Sequence, residues 1–528
     1  MNYLFLISVI LFSVGGMFSA QRQLQMLQQN SYYPSRYFGW VKSTKFGTLK
    51  YSLIFMLLPL IISVDFLPIF LPVYSAIELI YRIQRQQKSH KSSIKKLVYT
   101  DRVKRLIMTM CVLYLLLISA LIIFPSATVY IVVLAVVFGH FPQIIMLTAF
   151  YINKPIEGSI SKWYINDAKK ILANNKNLIC IGVTGSYGKT SVKFILNRIL
   201  SEKYNTLATP ESFNTPMGIV RTVRSSLTPA TEIFIAEMGA KNIGDIKELC
   251  DICNPDIGII TAVGPQHLET FKTVENVADT KFELADCCLK KNDGRIYVNF
   301  DSEAAKTKAL KIKDQNKIIS FGNDDDNAIS ATNINVTENG TEFTLKYKDY
   351  LFPLSCKLLG KHSITNLLGA IGLALDLGVS EKQIRFAVSS LKAPPHRLEL
   401  KPFINGSILI DDAYNSNPVG CLEAVNVLSS FKNRKRIIVT PGLVELGDKE
   451  YEFNYNLGEA AAKGSDIIIL VGQNRSKPMA DAVNKSDFNK ENFYIADSFS
   501  HAMSILRTIV DKNTVVLFEN DLPDNYAG

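Results

Sequence analysis

A glycine-rich loop that ends in a lysine and two hydroxyl residues is the part of this sequence that most directly suggests chemistry. It reads I-G-V-T-G-S-Y-G-K-T-S from 181 to 191, between an apolar run and a helix-like run. Backbone N–H groups of such a loop bind phosphate, Lys189 supplies a cation and Thr190 a hydroxyl for Mg²⁺. Val183 stands where the strict pattern has its first glycine, so a plain glycine-rich turn is the alternative.

Three residues that come later in the sequence could bind a metal at the same site. Glu237 closes the next strongly apolar strand, and a carboxylate at the carboxyl edge of a strand, facing a phosphate loop, suits Mg²⁺. His267 follows the strand after that, although a lone histidine is equally often structural. Lys281 lies on a predicted helix, and its position alone predicts a solvated side chain.

A second polar loop follows a strand in the later part of the chain. It reads D-D-A-Y-N-S-N-P from 411 to 418. Polar side chains packed this densely after an apolar strand indicate a ligand loop, with an Asx-rich turn as the alternative.

Strands alternate with helices from Leu178 onward, which predicts an α/β fold of parallel sheets covered by helices. Residues 333–336 and 341–347 predict an inserted antiparallel hairpin, and Ser363 to Leu377 predicts an amphipathic helix. Residues 393–395 resemble a linker before a second α/β unit. The predicted strands are 178–183, 233–237, 257–263, 295–299 and 318–321 in the first unit, and 407–411, 436–440, 467–471, 493–495 and 514–518 in the second.

The chain before residue 152 is dominated by three apolar runs, at 4–18, 51–80 and 106–152. A helix that crosses a bilayer needs about 20 apolar residues. The first run predicts one span, the second a tight hairpin of two short helices or a re-entrant pair, and the third two spans that turn near Pro125-Ser126. About five spans are therefore expected, with a cleaved signal peptide as the alternative for residues 1–20.

Charge predicts the orientation of these spans. Basic residues crowd the loops between the runs, and positive loops tend to stay cytoplasmic. We therefore expect a multi-pass protein of a bacterial cell membrane with everything after Lys154 cytoplasmic. The net charge of +10 lies largely in these loops, where it favours anionic membrane lipid; no nucleic-acid partner is expected.

The eight cysteines are scattered, and they include a C-x-x-C at 250–253 and the pair Cys287-Cys288. A zinc site is conceivable, but a second C-x-x-C does not occur in the sequence. Buried or incidental cysteines are the preferred interpretation.

These motifs, in this order and spacing over roughly 176–515, resemble those of the Mur ligases of peptidoglycan synthesis. The MurF-type branch, which adds D-alanyl-D-alanine to UDP-N-acetylmuramoyl-tripeptide, is the most similar. The stretches that carry the resemblance are 182–191, 214–218, 237–240, 267–269, 281–283, 360–366, 396–398, 411–418 and 444–447.

The resemblance implies an ATP- and Mg²⁺-dependent ligase that phosphorylates a carboxylate and lets an amine displace the phosphate. Lys189, Lys281 and His267 would be catalytic. Thr190 and Glu237 would bind one Mg²⁺ and His267 a second, and Lys281 resembles a lysine that is carbamylated in this family and can then bind metal.

The resemblance also implies the remaining contacts. ATP would be bound by Thr184, Gly185, Ser186, Gly188, Lys189, Thr190, Ser191, Asn366, Arg397 and Asp412, and substrate by Asn214, Thr215, Asn415 and Asn417. The partners would be a muramoyl-peptide precursor, an amino acid or dipeptide, and membrane lipid.

The sequence departs from the family at three places. Membrane helices occupy the position of the N-terminal UDP-sugar domain, the C-terminal K-G-S-R type segment is absent from the sequence, and Ser363 replaces a second adenine-contacting asparagine. A ligase that acts on a lipid-linked muropeptide or another amino-acid acceptor, and a nucleotide-binding scaffold without activity, remain alternatives. The expected domains are 1–152 in the membrane, 153–395 as the P-loop central domain and 396–528 as a Rossmann-like C-terminal domain.

Overall fold

The computed structural model describes residues 2–30, 32–43, 66–92, 96–337, 340–393, 395–413, 417–444, 446–473 and 475–520. The chain divides into two compact units, one that runs through Trp163 and one that begins at Tyr164. The first unit is helical, and the second contains two β-sheets with their covering helices.

The first unit consists of helices that pack around two clusters of buried side chains. Thr100 begins one of these helices by accepting a hydrogen bond from the Val103 N–H. The helices are α1 (Asn2–Gln29), α2 (Pro34–Ser43), α3 (Leu67–Ser92), α4 (Asp101–Ile123), α5 (Thr128–His140) and α6 (Pro142–Asn174), the last of which continues into the second unit.

Among the described residues, two helices are long and apolar enough to cross a membrane, Tyr3–Gln29 and Asp101–Ile123. A third span results if α5 and α6, which meet at an angle of 92°, are counted as one bent span. Helix α4 ends at Ile123, next to the turn predicted at Pro125-Ser126. Residues 51–65 of the second apolar run lie outside the described residues, so the predicted hairpin there stays a prediction.

The central sheet of the second unit has the strand order β2-β3-β1-β4-β5-β6-β7-β8-β9. Strands β1 to β6 pair in parallel, and β7 to β9 form an antiparallel meander at one edge. The strands are β1 (Ile179–Thr184), β2 (Thr206–Ala208), β3 (Ile233–Glu237), β4 (Ile257–Ile260), β5 (Arg295–Asn299), β6 (Ile318–Phe321), β7 (Ile329–Thr337), β8 (Gly340–Tyr347) and β9 (Tyr350–Cys356).

Helices cover both faces of this sheet because its strands are apolar on both sides. Ile181 and Val183 of β1 belong to one core, and Cys180, which directly precedes Ile181 and so points to the opposite face, belongs to the other. The helices are α7 (Lys189–Leu200), α8 (Pro216–Ser226), α9 (Asp245–Cys253), α10 (Leu268–Phe271), α11 (Val274–Cys288), α12 (Glu303–Ala309), α13 (Lys361–Asp376) and α14 (Glu381–Ser389).

The second sheet has the order β10-β11-β15-β12-β13-β14, parallel except for the antiparallel edge pair β10 and β11. The predicted α/β class is confirmed for both halves of this unit. The elements are β10 (Glu399–Pro402), β11 (Ile408–Asp412), α15 (Pro418–Ser430), β12 (Lys435–Thr440), α16 (Glu450–Gly464), β13 (Ile467–Val471), α17 (Lys477–Lys485), β14 (Phe493–Ala496), α18 (Phe499–Ile509) and β15 (Thr514–Glu519).

Candidate active site

The glycine-rich loop joins the end of β1 to the start of α7 at the carboxyl edge of the central sheet. The N–H groups of Ser186 and Tyr187 both donate to Ala262 O, at 2.8 and 3.1 Å, which fixes the loop beside the end of β4. Gly185 must be glycine because a Cβ there would collide with the hydroxyl of Thr261. Helix α7 therefore directs its first N–H groups toward the loop, as phosphate binding requires.

The side chain of Lys189 folds back onto the loop that precedes it. Its Nζ donates to the carbonyl oxygens of Gly185 at 2.8 Å and Ser186 at 2.9 Å. Burial lowers the pKa of Lys189 to about 8, while the nearby Glu237 raises it and Arg397 lowers it further. The ammonium of Lys189 is thus fixed at the opening of the loop, and the negative charge of Glu237 offsets part of the cost of burying it.

The other predicted loop residues adopt structural positions around it. The Thr184 hydroxyl donates to Met238 O at 2.9 Å. The Ser186 hydroxyl donates to Gly264 O and accepts from Gly264 N, both at 3.1 Å. Ser191 lies in the first turn of α7. These contacts join the loop to the segments that follow β3 and β4, which carry the next site residues.

Glu237 is the buried acidic centre of the site, with 1% of its surface exposed. Its Oε1 accepts from the Thr190 hydroxyl at 3.0 Å and from Asn214 Nδ2 at 3.2 Å, and its Oε2 lies 2.9 Å from Lys193 Nζ. A hydroxyl and a carboxylate on adjoining elements are oxygen donors of the type that Mg²⁺ prefers. This donor set fits the predicted magnesium site.

Lys193 is a site residue that the sequence analysis missed. It is buried to 4% exposure and pairs with Glu237. It lies one helical turn after Lys189, so helical spacing could have indicated that both lysines lie on one face of α7.

Lys281 is buried on α11, with 1% of its surface exposed. The solvated position that its sequence context predicts is therefore wrong, because the face of α11 that carries it packs toward the sheet. Burial lowers the pKa of Lys281 well below its ordinary value, and the charge of Lys189 lowers it further. The two lysines thus act on each other electrostatically, and Lys281 favours its neutral amine.

His267 lies at the carboxyl side of β4, directly before α10. Its φ of 51° is in the left-handed region, and its carbonyl accepts from the N–H groups of Thr270 and Phe271. Over the described residues, no group of three or more His, Cys, Asp or Glu side chains is arranged to hold a metal. The role of His267 in a second metal site stays a prediction.

Asn214 and Thr215, predicted to contact substrate, adjoin the Glu237 carboxylate. Asn214 donates to Glu237, and its carbonyl accepts from Gly239 N at 2.9 Å. Thr215 caps α8 by accepting from Gly218 N at 3.3 Å. Both residues therefore have structural contacts, in addition to the substrate role that stays a prediction.

Asn366, on the second turn of α13, lies directly against the glycine that begins α7. A Cβ built on Gly188 would lie 2.6 Å from Asn366 Oδ1, and Gly188 has a φ of 80°. The predicted adenine contact and the phosphate loop are therefore neighbours in space.

Replacing Gly188 by alanine is expected to lower the affinity for ATP roughly tenfold, because the added methyl group displaces Asn366 from the phosphate loop. The left-handed backbone at this position also costs about 1–2 kcal/mol of stability for any non-glycine residue. Isothermal titration with ATP measures the affinity. Gly472→Ala is the matched control, because Gly472 has a φ of 85° and no atom lies within 4 Å of its built Cβ. Equal ATP affinity in the two variants would contradict the expected contact.

Residues in and next to the second sheet lie near the same site. The charge of Arg397 lowers the pKa of both Lys189 and His362, so the guanidinium lies near the phosphate loop. Asp412, at the end of β11, accepts from Leu398 N at 3.1 Å. The predicted contacts Arg397 and Asp412 are thus held together at the junction of the two sheets.

The predicted substrate loop is only partly described. Asn415 lies outside the described residues. Asn417 caps α15 by accepting from Val419 N at 3.2 Å and Gly420 N at 2.8 Å. Glu519, which the sequence analysis did not select, is fully buried. It lies opposite Asp412 in the register of the parallel strands β11 and β15.

Asp412 is expected to destabilise the fold as the pH rises. Burial raises its pKa to about 6, although Arg397 opposes the shift. The folded protein binds this proton more tightly than the unfolded chain, so the stabilisation is present below about pH 4 and is lost as the pH rises through about 6. Asp412→Asn keeps an acceptor for Leu398 N and is expected to gain apparent melting temperature relative to the parent at pH 7.5 but not at pH 4.

The neighbouring aspartate provides a control of opposite sign. Burial raises the pKa of Asp411, but hydrogen bonds from Lys401 and His396 outweigh it and the net pKa is lowered. Asp411→Asn is therefore expected to lose stability at pH 7.5. The same pH response in both variants would contradict the assigned charge states.

Comparison with known protein families gives two matches in this part of the chain. The Mur ligase middle domain matches residues 183–374, and the Mur ligase, glutamate ligase domain matches residues 396–519. Together the two matches cover more than half of the chain, and they contain every described site residue.

Curated relatives include the UDP-N-acetylmuramoyl-tripeptide--D-alanyl-D-alanine ligases of Escherichia coli K12 and Bacillus subtilis 168. The first is 31% identical over 300 residues, which is 56% of this chain and 64% of the relative. The second is 30% identical over 279 residues, 53% of this chain and 59% of the relative. The chain thus spans less than two thirds of the length of either relative.

Solved structures agree on the fold. A MurF ligase from Thermotoga maritima in complex with ADP aligns with a TM-score of 0.60 and 25% identity, covering 70% of this chain and 81% of that one. A MurF from Acinetobacter baumannii aligns with a TM-score of 0.60 and 23% identity, covering 69% and 78%.

Proposed function

The chain belongs to the Mur ligase family, and we propose that it uses ATP to join D-alanyl-D-alanine to UDP-N-acetylmuramoyl-tripeptide. The observation that carries this proposal is the Thr190–Glu237 hydrogen bond where the phosphate loop enters α7, beside Lys189. Curated relatives that carry this activity in their names, and a similar ligase solved with ADP, support the choice of reaction and nucleotide.

In the proposed reaction, the γ-phosphoryl group of ATP passes to the substrate carboxylate to give an acyl phosphate and ADP. The amine of the second substrate attacks the acyl carbon, and inorganic phosphate leaves as the amide forms. Lys189 and the N–H groups at the start of α7 bind the β- and γ-phosphates and balance charge that builds on the transferred group. Asn366 and Arg397 orient the nucleotide.

Thr190 and Glu237 would hold Mg²⁺, which when bound neutralises phosphate charge. Asn214 and Lys193 keep the Glu237 carboxylate in position. His267 would serve a second ion. The neutral amine of Lys281 is the form that reacts with carbon dioxide, and the resulting carbamate would be an anion near the cation of Lys189 that could serve as a metal ligand.

We further propose that residues 1–152 form a membrane domain of about five spans, with the central domain at 153–395 and the C-terminal domain at 396–528 on the cytoplasmic side. The apolar helices Tyr3–Gln29 and Asp101–Ile123 support the membrane assignment. Basic loops and membrane lipid would fix the orientation. A lipid-linked muropeptide acceptor is the alternative that these helices favour.

Phosphate release from ATP by the detergent-purified full-length protein tests the proposal. UDP-N-acetylmuramoyl-tripeptide is supplied with D-alanyl-D-alanine, with L-alanyl-L-alanine as the matched amine control, or with no amine. Release that requires the D,D-dipeptide, with a pentapeptide product by mass, supports it. If the protein binds ATP but releases phosphate only with a lipid-linked muropeptide, the proposed acceptor is wrong and the lipid-linked alternative takes its place.

A further inference from the structure

Five of the eight cysteines converge on one region of the central domain, although they are far apart in the sequence. Cys180 is on β1, Cys250 and Cys253 are on α9, and Cys287 and Cys288 end α11. All five are free thiols, and all are buried except Cys287, which is partly exposed. They share one apolar core, on the face of the sheet that α9 and α11 cover.

Two pairs of thiols are in direct contact within this group. Cys250 and Cys287 are hydrogen-bonded to each other, as are Cys180 and Cys253. The first pair joins two helices and includes the partly exposed sulfur, whereas both members of the second pair are buried. Only the first pair therefore combines a contacting partner with access from solvent.

The surroundings of Cys287 favour its reactive form. The hydrogen bond from Cys250 lowers the pKa of Cys287 to about 7; burial opposes this, and Lys291 and Lys290 add to the lowering. The same hydrogen bond and burial raise the pKa of Cys250. A thiolate next to a protonated thiol is the arrangement of an attacking and a resolving cysteine.

We propose that Cys250 and Cys287 form a reversible disulfide under hydroperoxide stress, tying α9 to α11 and slowing the ligase reaction. The Cys287 thiolate attacks one peroxide oxygen, the O–O bond breaks, and hydroxide leaves as a sulfenic acid forms. Cys250 sulfur then attacks the Cys287 sulfur, an S–S bond forms, and the thiol proton and the departing hydroxide make water. Two thiols are oxidised and one peroxide is reduced to two waters.

One of the two helices that this bond would join, α11, carries the candidate site residue Lys281. Glu283 on α11 accepts from Gly244 N and Lys247 N at the start of α9, both at 2.8 Å. Lys281 is on α11, six residues before Cys287, which is about 9 Å along a helix axis. The helices are thus already fixed to each other at the end that faces the site.

A disulfide would change this arrangement at the other end. A disulfide holds its two sulfurs about 2.05 Å apart, which is closer than any non-bonded contact between the thiols. One helix must shift or tilt against the other by a distance on the order of 1 Å, and a displacement of this size at a reacting group can cost up to 100-fold in rate.

The test has one readout that does not depend on the reaction. The full-length protein in detergent is treated with hydrogen peroxide, free thiols are alkylated, and tryptic peptides are mapped by mass. The expected product links peptide 248–272 to peptide 282–290, with fragment ions that assign Cys250 and Cys287, and dithiothreitol reverses it. Cys287→Ser is expected to abolish the link, whereas Cys111→Ser, which removes an exposed cysteine of the helical unit, keeps it.

The second readout rests on the proposed function. Oxidised protein is expected to release phosphate between about tenfold and 100-fold more slowly, with recovery on reduction and little change in Cys287→Ser. A link from peptide 177–189 to 248–272 would instead indicate Cys180 and Cys253 and overturn the assignment, as would alkylation of Cys287 at peroxide doses that oxidise Cys111. A correct link in a protein without ligase activity would refute the proposed function and leave the disulfide standing.

Discussion

Replacing Lys189 by alanine is expected to lower substrate-dependent phosphate release by about 10³-fold or more, the scale on which cationic groups act in phosphoryl transfer. Lys189 is the first residue of α7, and its ammonium is already directed into the loop by the carbonyls of Gly185 and Ser186. Removing it takes away the ammonium that the loop itself holds where the phosphates would bind. Phosphate release and ATP binding, measured separately, distinguish lost chemistry from lost affinity.

Two further variants make the result specific. Lys189→Arg keeps the charge but places a larger planar group in a crowded loop, so it is expected to recover little activity. Lys203→Ala removes a lysine that follows the same helix and donates to the carbonyls of Leu377 and Gly378, and it is expected to keep full activity. Retention of more than a tenth of the parent rate by Lys189→Ala would remove this residue from the catalytic site.

The strands that position this loop could be predicted because parallel strands buried on both faces are continuous apolar runs. The predicted strands at 233–237, 295–299 and 318–321 coincide with β3, β5 and β6. The P-loop follows β1, Glu237 ends β3 and His267 comes after β4, and the carboxyl ends of these strands meet at one edge. The ends of parallel strands in one sheet are neighbours by topology, so the order of the motifs was enough to predict that these strand ends share one edge.

The edge elements could not be predicted in the same way. Strand β2 has three residues, too few for a periodic signal. Strands β9 and β10 contain Pro353 and Pro402, which sequence rules associate with turns but which edge strands tolerate. These strands depend on pairing with a neighbour, which local sequence does not encode.

The burial and the neighbours of individual side chains could not be predicted from the sequence either. Lys193 and Lys281 are polar residues within helices, where sequence patterns predict exposure, yet both are almost fully buried. Their position follows from which face of α7 and α11 meets the sheet edge. The cysteines are a similar case, since residues 180, 250 and 287 are brought together only by the packing of β1, α9 and α11.

Replacing Lys281 by alanine is expected to reduce turnover by about 10²–10³-fold, the range found when one group that stabilises transition-state charge is removed. Lys281 is buried next to the charge of Lys189, and both effects favour its neutral amine. A neutral buried amine can take up carbon dioxide and become an anion, which suits a position near the cation of Lys189. Added bicarbonate is therefore not expected to restore Lys281→Ala, because alanine cannot be carbamylated.

The carbamate itself is tested on the unaltered protein. Removing carbon dioxide from the buffers is expected to lower phosphate release, and bicarbonate is expected to restore it. Lys308→Ala is the matched control, since Lys308 is a partly exposed lysine of the next helix that pairs with Asp279 on α11, 2.5 Å away. Full activity of Lys281→Ala would show that the assigned role is wrong. Loss of activity in that variant, with a parent protein indifferent to bicarbonate, would assign Lys281 a role as an amine, because only a carbamate depends on dissolved carbon dioxide.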